Sequence, residues 1–321
     1  MMAPVPDLDA RRPGRRLLLA GVGAALLTPV AGCGVRLEND APRVPLVPTR
    51  EPLPGEAALL ALTLDSERLA DLADALGTPL GTDLATLHRR QHTVLRTTLL
   101  RRGVPAASLG PTPTPSPTRS GSPTPSPSPS TGAATLGATE ADAAAGAARF
   151  STAAADLLPS LAALHAQRWA AGALLTGSAP PRPVVSGPPD GLEVGDLAEA
   201  VDAAAYLAEV GTARSTGARR ERGAATVTAL RALRSALRSG EDAPPAGLGR
   251  PLPFPVRSAA DVDRLLWESL TALRAALGAG LADLVAADPV AGLDAATRWL
   301  GGVEVEAHRW GVPLVPFPGL T

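Results

Sequence analysis

Four histidines and one cysteine carry most of the nucleophilic and metal-ligating chemistry this sequence offers. His88 and His92 are four residues apart, so a helix would present both on one side. That spacing can grip a transition metal when further ligands arrive from elsewhere. His88 is expected to border an apolar face, and His92 to lie nearer solvent among Arg89, Arg90 and Gln91. Two neutral imidazoles make half a site and the arginines repel cations, so a pair of flank histidines is the favoured reading. Glu304 and His308 repeat the spacing, acid first, which is the favourable order on a helix surface. An exposed pair of that kind contributes only about 0.3–0.5 kcal/mol. His165 completes the set, and a composite site of His88, His92, His165 and His308 would use every histidine.

Cys33 has a different use. It follows a basic stretch (Arg11, Arg12, Arg15, Arg16) and an apolar run, Leu17 to Leu27, of 11 residues. As a helix that run is too short to span a hydrocarbon core of about 30 Å, so residues 1–32 read as a signal peptide. Arg15-Arg16-Leu17-Leu18-Leu19 resembles a twin-arginine export signal, with general secretion as the alternative. Val30-Ala31-Gly32-Cys33 resembles the bacterial lipobox, which implies cleavage before Cys33 and a lipid on its thiol. Each buried CH₂ adds about 0.8 kcal/mol, so two or three acyl chains hold stably where one does not. The expected location is extracytoplasmic, on the outer face of the cytoplasmic membrane. Residues 33–55, with Pro42, Pro45, Pro48, Pro52 and Pro54, read as an extended tether.

The elements that must position the remaining residues are helical. Leu59, Leu62, Leu69, Leu72 and Leu76 recur at three- and four-residue steps, and Gly77 closes that helix. Thr82 or Asp83 would cap a second helix, ended by Gly103 and Pro105. A third is expected over about 140–175, with Pro159 as a kink or division. Residues 105–137 are rich in Pro, Ser and Thr and read as a disordered insertion, either a solvated loop or a glycosylated stalk. Leu84-Ala85-Thr86-Leu87-His88 resembles Leu161-Ala162-Ala163-Leu164-His165, a short internal similarity within the N-terminal helical region, 56–177. A linker at 178–192 leads to a second block, 193–310, and a tail, 311–321. In that block helices are expected at about 193–211, 215–239, 258–286 and 289–310, the third opened by a Ser258/Asp261 capping box. No stretch alternates like a strand, so the class is all-α, and short connections favour an up-and-down bundle.

The second block resembles the ferritin-like domain of unknown function of actinobacterial proteins. The resemblance rests on Asp202-Ala203-Ala204-Ala205-Tyr206, an Arg-rich second helix, Pro251-Leu252-Pro253-Phe254-Pro255-Val256 and the region of Trp267-Glu268. It implies a ferritin-like four-helix bundle in the C-terminal block. Relatives carry Glu-His where this chain reads Val201-Asp202, and often a His where it has Leu230; Glu268 is the family-like acid that remains. A di-iron site needs inward carboxylates and Glu-x-x-His pairs, and no Glu-x-x-His occurs in the chain. On a helical wheel Glu268 lies about 150° from its own leucine stripe, facing a second contact surface or solvent.

Glu199, Asp202, Tyr206 and Glu209 share one helical face, which reads as solvated with its tyrosine across a seam. Trp169, Trp267, Trp299 and Trp310 are expected to pack helix seams. A formal net charge of −1 gives nucleic acid no electrostatic footprint. No nucleophile elbow or phosphate-binding glycine loop is present. The expected protein is lipid-anchored and non-enzymatic, binding or scaffolding at the envelope, with the membrane and an envelope protein as partners and no cofactor. A metal-dependent ferritin-like oxidoreductase or iron store, and a histidine-based metal carrier, are the alternatives.

Overall fold

The computed structural model describes residues 50–110, 129–177, 187–238 and 249–320, with side chains from 132 onward in the second stretch. The signal segment, Cys33 and the tether up to residue 49 lie outside the described residues, as do 111–128 and 178–186. Among the described residues the regular structure is all-helical. The order is α1 (Glu56–Asp74), α2 (Pro79–Arg101), α3 (Pro129–Ala145), α4 (Leu158–Thr176), α5 (Gly195–Ala213), α6 (Gly217–Leu237), α7 (Ala259–Ala279), α8 (Leu281–Ala287) and α9 (Pro289–Arg309).

Local chemistry sets the boundaries. α2 starts earlier than expected, because Thr78 rather than Thr82 or Asp83 caps it: its hydroxyl accepts from the Gly81 amide at 3.1 Å, with Pro79 just inside. The helix expected over 140–175 is two helices. Two short 3₁₀ turns, Ala147–Phe150 and Ala155–Leu157, separate them, and Pro159 sits in the first turn of α4, where its missing amide costs nothing. α3 reaches back to Pro129, into the stretch expected to be disordered, and buries Leu136; Leu109 is buried as well. The capping box at Ser258 and Asp261 forms, with Asp261 receiving the Ser258 amide at 2.8 Å. The expected helix over 258–286 bends by 41° at Gly280 into α7 and α8.

The described residues from 51 onward form one compact unit, and its main apolar cluster runs from Leu59 and Leu99 through Leu164 to Leu270 and Leu300. The N-terminal and C-terminal helical blocks therefore share an interior. α4 is its axis. Thirteen of its nineteen residues are buried, so it presents small and apolar side chains nearly all round. It packs closely on both α3 and α9. Glycine makes those approaches possible. A Cβ on Gly172 would meet the Gly137 carbonyl of α3 at 3.1 Å, and one on Gly301 of α9 would meet the Ala166 carbonyl of α4 at 2.9 Å. No single described helix is long and apolar enough to cross a membrane.

Candidate functional site, a buried polar layer across α1 to α4

The residues with the most chemistry do not lie on the surface. His88 is fully buried, His92 is 5% exposed and His165 is fully buried, which corrects the expectation of flank histidines and of a solvent-facing His92. Their helices bury them together with Ser66, Gln91, Glu140, Gln167 and Arg168, all fully buried. The layer is thus built from α1, α2, α3 and α4.

Its hydrogen bonds run in one direction. Gln91 Nε2 donates to Gln167 Oε1 and to the Pro316 carbonyl, both at 2.9 Å. Its Oε1 therefore faces His88 Nδ1, 3.1 Å away, and that ring nitrogen carries the proton. The other ring nitrogen, Nε2, lies 2.6 Å from Glu140 Oε1. Both side chains are fully buried, so this close contact is shielded from water. His92 is engaged separately, through Nδ1 with the Thr63 carbonyl at 3.1 Å.

Arg168 supplies the layer's permanent positive charge. Its Nη2 donates to Ser66 Oγ at 2.9 Å. Burial lowers its pKa, opposed chiefly by the attraction of Glu140. His165 packs against Phe150, ring centroids 5.1 Å apart, with no hydrogen bond of good geometry to either ring nitrogen among the described residues. Burial first, then the Arg168 and Arg149 guanidiniums, hold its pKa well below the ordinary imidazole value, against a weak opposing contact with the Ala143 backbone. His165 is a neutral imidazole at neutral pH.

A resident metal of the di-iron kind does not fit these residues. One carboxylate is present, it is engaged by His88, and a guanidinium that cannot give up its charge is buried beside it. Among the described residues no three His, Cys, Asp or Glu side chains come together as a metal would need. His308 stands apart, half-buried on the last turn of α9. Glu268 is on the surface, paired with Arg264 at 2.7 Å.

Two other expectations change. Glu304 does not form a surface pair with His308. It is 1% exposed and faces Arg274 Nη1 of α7 at 3.5 Å. Burial pushes its carboxyl up to about 7, against the pull of Arg274. The acidic face of α5 is solvated at Glu199 and in part at Glu209, while Asp202 is nearly covered. Glu209 pairs with Arg231 at 2.8 Å, Asp202 with Arg238, and Glu199 with Arg250 at 3.5 Å, so much of it is a seam with α6. Trp299 and Trp310 are buried as expected, whereas Trp267 is 41% exposed.

Glu140, Gln91, Gln167 and Arg168 were not singled out by their spacing. The signal that could have found them is the short internal similarity. It ends in His88 and in His165, and three residues past each stands the polar side chain, Gln91 or Arg168, that builds the layer. Comparison with protein-family models, with curated proteins and with solved structures finds no match to this chain.

Proposed function

We propose that this is a lipid-anchored cell-envelope protein whose helical body binds or scaffolds a partner and performs no chemistry of its own. The observation that carries the reading is the closed polar layer. The side chains best able to act on a substrate are buried together inside α1 to α4, away from solvent, with Arg168 as their built-in cation. The anchor rests on Val30-Ala31-Gly32-Cys33 after a short apolar run. The order α5, α6, α7 with α8, and α9 is the succession of helices that the ferritin-like bundle implied by the resemblance would need.

Two measurements test this. Cys33→Ala is expected to release the protein from the membrane fraction, or to leave it uncleaved and without fatty-acid label; normal labelling of that variant refutes the anchor. Elemental analysis of the purified wild-type chain is expected to find far less than one iron or manganese per molecule. A near-stoichiometric value would move the reading to a ferritin-like oxidoreductase or metal store. Zinc or copper binding that disappears on His88→Ala with His92→Ala would move it to a metal carrier.

A further inference from the structure

The chain after α9 does not trail away. Gly311, at φ +83°, turns it, and the Val312 amide bonds back to the Ala307 carbonyl at 3.0 Å. The Pro313 carbonyl then accepts from Arg274 Nη1 of α7 at 3.1 Å. Leu314 packs against the apolar cluster of Leu69, Leu76, Leu84 and Leu136. The Pro316 carbonyl accepts from Gln91 of α2. Phe317 walls one side of a small apolar cleft of about 50 Å³, facing Leu59, Val94, Leu95, Leu99 and Leu161. Gly319 lies directly on Gly278 of α7, where a Cβ on either residue would collide with the other's backbone. The segment thus crosses from α7 to α2 and back.

Its fastening is light. Pro313, Pro316 and Pro318 have no amide proton to give. Among the described residues the one backbone–backbone bond made by 313–320 is internal, Leu320 N to the Phe317 carbonyl at 3.2 Å. Two side-chain donors, Arg274 and Gln91, the contacts of Leu314, Phe317 and Gly319, and the burial of Pro318 hold it down. Lifting it therefore breaks no backbone ladder. Segments with few backbone bonds and few apolar anchors open at a fraction of the free energy of global unfolding.

What lies beneath gives that opening a meaning. One side chain, Gln91, separates the Pro316 carbonyl from His88, which in turn holds Glu140. We propose that residues 313–320 are a displaceable strap that closes the buried His88–Glu140 pair, and that lifting it admits solvent to His88 while the helices keep their places. The strap is a gate on a buried histidine–carboxylate pair. This goes beyond the scaffold reading and does not depend on it.

Histidine footprinting of the folded full chain with diethyl pyrocarbonate, read residue by residue by mass spectrometry, tests the gate. His308, half-buried on the last turn of α9 and not among the residues of the layer, is the internal standard. Phe317→Ala removes an apolar anchor of the strap, and Gly319→Ala drives a methyl against the Gly278 backbone; both substituted positions lie in the strap, outside every helix. In both, His88 modification is expected to rise roughly tenfold over wild type, the equivalent of about 1.4 kcal/mol of strap docking. His165 is expected to hold its wild-type rate, and the strap to be cut faster by a nonspecific protease. In the wild-type chain, His88 modification should be nearly flat in sub-denaturing urea while that of His165 climbs, because a local opening exposes little surface. A parallel rise of His88 and His165 in the variants, the same urea dependence for both, or an unchanged His88 rate would each overturn the proposal.

Discussion

At the scale of single residues, two buried groups tilt the stability of the fold with pH in opposite directions. Glu304 titrates near 7 in the folded protein against an ordinary value of 4.5. Between those values the folded carboxyl keeps a proton that the unfolded chain has lost. Its contribution is therefore complete below pH 4.5 and disappears as pH rises through 7. The span of 7 − 4.5 corresponds to roughly 3 kcal/mol. Glu304→Gln is expected to abolish that slope, leaving the variant more stable than wild type at pH 8, as chemical denaturation across the range would register. His165 acts the other way. Its folded value is depressed below 6.5, so its contribution is present above 6.5 and is lost as pH falls and the unfolded imidazole takes a proton. His165→Leu should therefore flatten the acid side of the profile; an unchanged acid limb would mean that another group sets it. Neither effect was legible in the sequence. Glu304 and His308 have the spacing of a surface pair, and only the packing of α7 against α9 turns the acid inward to Arg274.

The helices show which signals survive folding and which do not. The Ser258/Asp261 box acts within one turn and needs nothing distant, so it was readable and it forms. Ser258→Ala is expected to lower stability by about 1 kcal/mol without moving α7, a loss that differential scanning calorimetry would resolve. Leucine periodicity likewise marked α1, α2 and α7, because one apolar stripe facing one core is a local pattern. α4 defeats that logic. Arg168, His165 and Gln167 occupy positions that periodicity alone assigns to any face, and α4 is buried nearly all round by α3 and α9. The same gap explains Asp202 of α5, which reads as solvated until α6 lays Arg238 across it. Fold class was local and legible, whereas the polar layer was a matter of which helices meet.

Over the whole molecule, the two helical blocks stand or fall together. Leu293, Ala296, Leu300 and Val303 of α9 belong to the same core as Leu161, Ala162 and Ala166 of α4. The isolated segment 193–310 would expose that seam. It is expected to show helical circular dichroism with strong dye binding and no sharp thermal transition, whereas 51–320 should melt once, with helix content and tryptophan fluorescence coinciding. A sharp, reversible transition for 193–310 alone would show that the C-terminal helices carry their own core. The glycine seams at Gly172 and Gly301 set a direction on how such a chain drifts over generations. With only 2% aromatic residues, its interior is assembled from small pieces whose backbones nearly touch. Trimming a methyl from such a seam leaves a gap that neighbouring helices can partly close. Adding one has nowhere to go without prising α4 from α3 or α9. Substitution along these seams is a one-way valve, open toward smaller side chains and shut toward larger ones.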